Sequence, residues 1–269
     1  MSAHPLLKVE DVVAGFGPTT VLHGLSYEVR AGEIAGIFGL NGAGKSVSMK
    51  VLAGIVPVRS GRLLFDRLDV TAMSAEERVA KGMAHVPQGR QVFKELTVEQ
   101  NLRLGAYTLR RRASARYRAT LDGVYDRFPI LAERRAQVAG TMSGGQQASL
   151  AVARALMAEP LLMLVDEPSA GLAPLVVEEL YGTLREVAAT GVTMVLVEQN
   201  VSFGLQLAHT AHILQTGRIV HSGPVSELDA DAVASYLGVG RLLSSGVTST
   251  LQARKPARKR APRKKAAAP

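Results

Sequence analysis

At 269 residues and 47% hydrophobic content, the chain has room for one large α/β domain or two small ones around a substantial core. It contains no cysteine, which excludes a disulfide framework and thiolate metal sites and suits a reducing cytosol. The net charge of +9 suggests a nucleic-acid binder, but Arg254, Lys255, Arg258, Lys259, Arg260, Arg263, Lys264 and Lys265 carry eight of those charges, leaving +1 for residues 1–253.

The opening Met1-Ser2-Ala3-His4-Pro5 has no charged region followed by an apolar one, so no secretory signal is expected. The apolar runs are strand-sized, well short of the roughly 18 residues a membrane span needs, so any membrane role requires other chains to cross. Residues 7–9 and 25–30 alternate apolar and polar, which predicts an antiparallel, half-exposed sheet. Residues 34–38, 161–165 and 193–197 are continuous apolar runs, as in parallel strands buried on both faces. Each is followed by a turn and a helix-compatible segment, the βα rhythm of an α/β fold. Residues from about 90 to 153 are rich in Arg, Leu and Ala with few strand signals, which predicts an inserted helical subdomain. The folded domain is expected to span residues 1–239, with its edge at residues 238–240. Beyond it, residues 240–269 read as a disordered basic tail of Ala, Pro, Lys and Arg.

Gly39-Leu40-Asn41-Gly42-Ala43-Gly44-Lys45-Ser46 joins the first buried run to a helix-like segment at 47–52. That context fits a phosphate-binding loop. Glycines permit the close backbone approach by which successive N–H groups point at anionic oxygens, and the helix start adds its positive dipole end. Lys45 would neutralise the β and γ phosphates and the Ser46 hydroxyl would ligate Mg²⁺. The bland alternative is a Gly-rich turn in a structural βα unit. The run at 161–165 ends in Asp166-Glu167, which puts two acids at the C-terminal edge of a parallel sheet. Asp166 suits a hard cation and Glu167 the activation of water. Alone, an apolar run ending in two acids is weak evidence; joined to the loop, it is a candidate site.

Met142-Ser143-Gly144-Gly145-Gln146-Gln147, ahead of a helical run at 148–157, is the deciding segment. With it the chain resembles the ATP-binding-cassette (ABC) ATPases, whose signature is a Ser-Gly-Gly-Gln sequence before a helix. The resemblance covers residue 6 to about 238. It implies an α/β P-loop NTPase fold: a RecA-like parallel-sheet core, an N-terminal antiparallel β subdomain and an inserted helical signature subdomain. It also implies Mg²⁺ and ATP as cofactors, with two cassettes associating head to tail. ATP then lies between residues 39–46 of one and Ser143, Gly144, Gly145 and Gln146 of the other. By the same resemblance, Phe16 stands where an aromatic faces adenine, with Phe for the usual Tyr. Gln88 matches the glutamine that reaches Mg²⁺ and the attacking water, and Ser169-Ala170-Gly171-Leu172 the loop that meets the opposite subunit. Many relatives place a His after the third buried run, against the γ-phosphate; here Gln199 stands instead, able to hydrogen-bond but not to carry charge.

Within the family, Val86-Pro87-Gln88-Gly89-Arg90-Gln91-Val92-Phe93, Leu96-Thr97-Val98-Glu99-Gln100-Asn101-Leu102, Ser169-Ala170-Gly171-Leu172-Ala173-Pro174 and Val197-Glu198-Gln199-Asn200 look most like the shorter ATPase subunit of branched-chain amino-acid importers. Urea and amide importers use similar subunits. The resemblance implies a second ABC ATPase subunit, transmembrane permease subunits, a solute-binding protein outside, and a place on the cytoplasmic face of the inner membrane. The competing class is a soluble ABC ATPase acting on nucleic acid or ribosomes, which the basic tail encourages. Against it, only 97 positions separate Ser46 from Ser143, too few for the coiled-coil insertion of DNA-repair relatives, and the chain holds one cassette rather than two. The tail itself reads as a solvated end, or more sharply as a contact to anionic lipid.

Overall fold

The computed structural model describes residues 4–109 and 113–228; the domain edge expected at 238–240 and the tail at 240–269 lie outside them. In chain order the elements are β1 (Pro5–Phe16), β2 (Thr19–Arg30), β3 (Ile34–Phe38), α1 (Lys45–Leu52), β4 (Val58–Phe65), β5 (Leu68–Asp69), α2 (Ala75–Ala80) and β6 (Met83–Val86). Then come α3 (Val98–Gly105), α4 (Ala113–Arg127), α5 (Pro129–Glu133), α6 (Gly144–Leu156), β7 (Leu162–Asp166), α7 (Pro174–Ala189), β8 (Thr193–Glu198), α8 (Val201–Leu207), β9 (Thr210–Gln215) and β10 (Arg218–Pro224).

Two sheets form. The first is antiparallel, in the order β2-β1-β4-β5, and the second runs β10-β9-β3-β8-β7-β6. In the second, β9, β3, β8, β7 and β6 are mutually parallel and only the edge strand β10 runs the other way. The expected strands thus exist, with small shifts. The run expected at 161–165 pairs as Leu162–Asp166, and the third strand carries one residue further, to Glu198. Both shifts add an acid that apolar patterning passes over, since ladder hydrogen bonds ignore side-chain polarity. β1 and β2 are each 12 residues long, well beyond the short alternations legible in sequence. Their register slips at several points, and a bulge breaks the period-2 pattern.

Every residue of β3, β7 and β8 is buried. One face of this sheet packs with the antiparallel sheet and α1 around Leu7, Val29, Met49, Leu63 and Leu164. The other packs under α6 and α7 around Leu150, Met163, Leu184 and Leu196, a cluster that continues into the helical segment through Leu102 and Leu131. Residues between β6 and β7 form helices and turns among those described, with one isolated β-bridge between Thr97 and Val138. Their helix starts follow local chemistry: Thr97 with Gln100 caps α3 and Ser143 with Gln146 caps α6, each a reciprocal capping box.

The parallel strands share a direction, so their C-terminal ends reach one edge of the sheet. There β3 opens into residues 39–44, β6 leads to Gln88, β7 ends at Asp166 and β8 ends at Glu198. This is where ligands bind in open parallel sheets. Arg78 fixes the far end of α1. Its buried Nη1 donates to the Val51 carbonyl (2.5 Å), which also accepts from Gly54 N (3.1 Å), and to the Leu52 carbonyl (2.8 Å), at the end of the helix where carbonyls run short of donors. No helix among the described residues is long and apolar enough to cross a membrane.

Candidate nucleotide site

Residues 39–44 leave β3 in a loop that wraps the start of α1. Gly44, at φ 108°, holds the left-handed turn into the helix, a conformation a side chain resists. Gly39 passes so close to β9 that a Cβ there would lie 2.3 Å from the Leu214 carbonyl oxygen. Both glycines are therefore required by local geometry. The α1 N-terminus has no acid in its first turn, so its free N–H groups face the loop with their partial positive charge uncancelled.

Beside this loop lies an open cavity of about 440 Å³. Asn41, Gly42, Gly44, Lys45, Ser46, Gln88, Glu167 and Gln199 line it, together with Val21 and Val47. The volume is within the range of small-molecule sites. Lys45 is buried, and its ammonium donates to the carbonyls of Gly39 (2.9 Å) and Leu40 (3.2 Å) with Glu167 Oε1 at 4.0 Å. Burial lowers its pKa, while the charges of Glu167, Asp166 and Glu198 push it back up. The loop thus presents a preformed cation among backbone donors. Ala43 is buried beneath it.

Glu167 sits just past β7 at φ 44°, a left-handed conformation costly for a side chain of its kind. Its amide is tied to the Val197 carbonyl at 2.9 Å, and its Oε2 accepts from Gln88 Nε2 at 2.6 Å. The strained turn aims the carboxylate into the cavity instead of continuing the strand. Because the Gln88 amide nitrogen serves Glu167, its carbonyl oxygen is the end left for a cation. Gln88 itself is exposed, at the start of the segment leading to the helices.

Asp166 is 3% exposed and its Oδ1 has no hydrogen-bond partner. Its pKa is pushed up to about 6, first by burial and then by the neighbouring Glu167 charge, against the opposing pull of Lys50 and Lys45. A buried, unpartnered carboxylate oxygen is what a hard divalent cation would satisfy. The donor set of Asp166, the Ser46 hydroxyl and Gln88 Oε1 fits Mg²⁺. No group of three His, Cys, Asp or Glu able to hold a metal occurs among the described residues.

The raised pKa has a consequence for the fold. Asp166 folds with a pKa above its ordinary value of about 4, so it favours folding below pH 4 and loses that contribution as pH rises through 6. Above pH 7 the ionised group then costs of order 2 kcal/mol. Asp166→Asn should raise the melting temperature by about 4–8 °C at pH 8 without Mg²⁺ or nucleotide, and by roughly half as much at pH 5, midway through the loss. Thermal unfolding at the two pH values checks this; an equal shift at both would contradict the assignment of the charge.

Of the remaining residues singled out in the sequence, Phe16 ends β1, half exposed, with the Lys50 ammonium 6.0 Å from its ring, and it does not line the cavity. Ser143, Gly144, Gly145 and Gln146 open α6 and are not on the cavity either. Gln146 N donates to Ser143 Oγ (3.3 Å) and Ser143 N to Gln146 Oε1 (3.1 Å), so the Gln146 side chain serves its own helix. The sequence assigned no role to Glu198 or Arg90. In the fold, Glu198 is a buried carboxylate ending β8, and the Arg90 guanidinium lies against residues 170–171. An acid closing an apolar run was the only signal for the first; nothing local marked the second.

A phosphate-sized loop, a helix start, a buried cation and two acids at one sheet edge define a nucleotide site. The family described as "ABC transporter" matches residues 22–170. This chain belongs to that family. It is 41% identical over 215 residues to BraG, a high-affinity branched-chain amino acid transport ATP-binding protein of Pseudomonas aeruginosa, covering 80% of this chain and 91% of that one. It is 32% identical to a probable branched-chain amino acid transport ATP-binding protein, LivF, of Archaeoglobus fulgidus, covering 83% and 94%. Among solved structures it resembles the ADP conformation of an ATP-binding cassette of an ABC transporter, with a TM-score of 0.74, 27% identity and coverage of 82% and 91%. The ABC chain is accordingly an ATPase with the expected α/β cassette fold, and adenine nucleotide is its ligand.

Proposed function

We propose that this ABC ATPase powers a branched-chain amino-acid importer, binding Mg-ATP at residues 39–46 and splitting it with Glu167 as general base. The observation that carries the chemistry is Glu167, strained into the cavity, with Lys45 and Gln88 on either side of it. Lys45 and the α1 N-terminus would hold the phosphates; Asp166, Ser46 and Gln88 would hold Mg²⁺, which would supply neutralisation of developing charge. Glu167 takes the proton of an attacking water, Gln88 orients the carboxylate, and Gln199 contributes a neutral hydrogen bond where a His is common. Phe16 offers its exposed ring to adenine.

Ser143, Gly144 and Gly145 complete the site of a second subunit, head to tail; that none of them lines this chain's own cavity supports the reading. Ser143→Arg should leave ATP affinity of the monomer within about threefold while reducing hydrolysis at least about 100-fold. Titration calorimetry and phosphate release measure the two; loss of binding along with turnover would argue that residue 143 serves its own cavity.

The amino-acid assignment rests on likeness to the two transport ATPases. Residues 90–153 are the subdomain that docks on the membrane-spanning permease, at the cytoplasmic face of the inner membrane, with a solute-binding protein on the other side. Tagged full-length chain drawn from its native membrane in mild detergent should bring a second cassette ATPase and permease chains. Recovery of ribosomes or nucleic acid in their place would overturn the transporter reading.

A further inference from the structure

The loop that follows Glu167 is gripped from two sides by side chains to which the chemistry above gives no part. On one side is Glu198, 1% exposed at the end of β8. Its Oε1 accepts from Ser169 N (3.1 Å), and its Oε2 accepts from Ser169 Oγ (2.9 Å), Gln199 N (3.1 Å) and Asn200 N (3.4 Å). A buried carboxylate is costly unless its acceptors are satisfied. Here the donors come from two loops: Ser169 after β7, and Gln199 and Asn200 after β8. On the other side Arg90 Nη2 donates to the Ala170 carbonyl (3.2 Å) and the Gly171 carbonyl (3.3 Å). The same guanidinium lies so near Gly144 that a Cβ there would meet Nη1 at 2.8 Å. Arg90 and Gln91 hold φ values of 69° and 40°, two consecutive left-handed residues without glycine. Such strain persists only where surrounding contacts over-determine it.

We infer that Glu198 and Arg90 are positioning residues that clamp residues 169–171 as one unit. Glu198 fixes that loop to Gln199 on the cavity wall, and Arg90, bonded to the loop, lies packed against Gly144, the first residue of α6. The clamp sets the direction in which the chain leaves Glu167, so it holds the base in register with the signature segment presented to the other subunit. Neither side chain touches the reacting atoms. The idea rests on the hydrolytic reading above. It adds that a neutral Gln199 is coupled to the opposite subunit through a buried charge one position away.

The test uses steady-state ATP hydrolysis by the full-length chain with thermal melts alongside. Glu198→Gln keeps the volume but replaces one acceptor with an amide that faces donors. Arg90→Ala removes both bonds to the loop, and Arg90→Lys restores one donor. Each of Glu198→Gln and Arg90→Ala should lower kcat about tenfold with KM for ATP within about twofold, because the phosphate loop is untouched. Arg90→Lys should recover part of the loss. In the double variant the losses should fall short of their product, since both act through one segment. A purely structural role would shift the melts and leave kcat per folded molecule and its non-additivity unmoved. Unchanged kcat in both single variants, a rise in KM alone, or losses that multiply would each overturn the clamp. If Glu198→Gln fails to fold, the Arg90 series decides by the same kcat criterion. A wild-type chain with no turnover in the presence of its partner cassette would instead bring down the hydrolytic reading, and the clamp with it.

Discussion

Glu167→Gln is expected to lower kcat by about 10²–10⁴-fold while leaving ATP affinity within about threefold of wild type. The substitution preserves shape, the left-handed backbone at φ 44° and an oxygen to accept from Gln88 Nε2, which lies 2.6 Å from Oε2. It removes the basicity. It also removes the negative partner 4.0 Å from the Lys45 ammonium, which leaves that cation free for phosphate and argues against any loss of binding. Hydrolysis blocked after binding should let the nucleotide-bound pair accumulate. Size-exclusion chromatography with Mg-ATP should therefore show a dimer that wild type forms only transiently. Turnover near the wild-type rate would remove Glu167 as the base and turn attention to Asp166, the other acid at this edge. Asp166 is a poorer candidate on geometry: it is the last residue of a buried strand and only 3% exposed.

The parts of this site that were legible in sequence are those in which chemistry and backbone geometry share one short stretch. Residues 39–46 carry their glycines, cation and hydroxyl within a single strand–loop–helix unit. Asp166 and Glu167 are marked by the end of an apolar run. The capping box at Ser143 and Gln146 is likewise a spacing of three. The α/β class followed from three buried runs, because parallel strands leave no polar face to disguise them. What escaped was set by contacts distant in sequence. Ser169 meets Glu198 29 positions away, and Arg90 meets Ala170 80 positions away. Neither partner betrays the other locally. Gln88 could be placed by likeness to the family, yet its bond to Glu167 spans 79 positions and became visible only when β6 and β7 paired side by side. β1 and β2 were underestimated for a different reason: Asp11 at φ 47° and the slips in register scatter their alternation.

Lys45→Ala should weaken ATP binding about 100-fold, since an ammonium bonded to phosphate oxygens contributes about 1.5–3 kcal/mol for each such bond. The structure raises a rival account of such a loss. Lys45 also donates to the Gly39 and Leu40 carbonyls, so its removal could simply loosen the loop. The two effects separate by ligand. If the cation serves the β and γ phosphates, affinity should fall most for ATP, less for ADP and little for adenosine, which carries no phosphate. A loosened loop would weaken all three alike. Lys45→Met, which keeps the buried stem and loses only the charge, should follow the same order in a calorimetric titration. Equal losses across the three ligands would make Lys45 a scaffold for its own loop, and the phosphate would then be held by the backbone N–H groups of residues 42–46 and the α1 dipole alone.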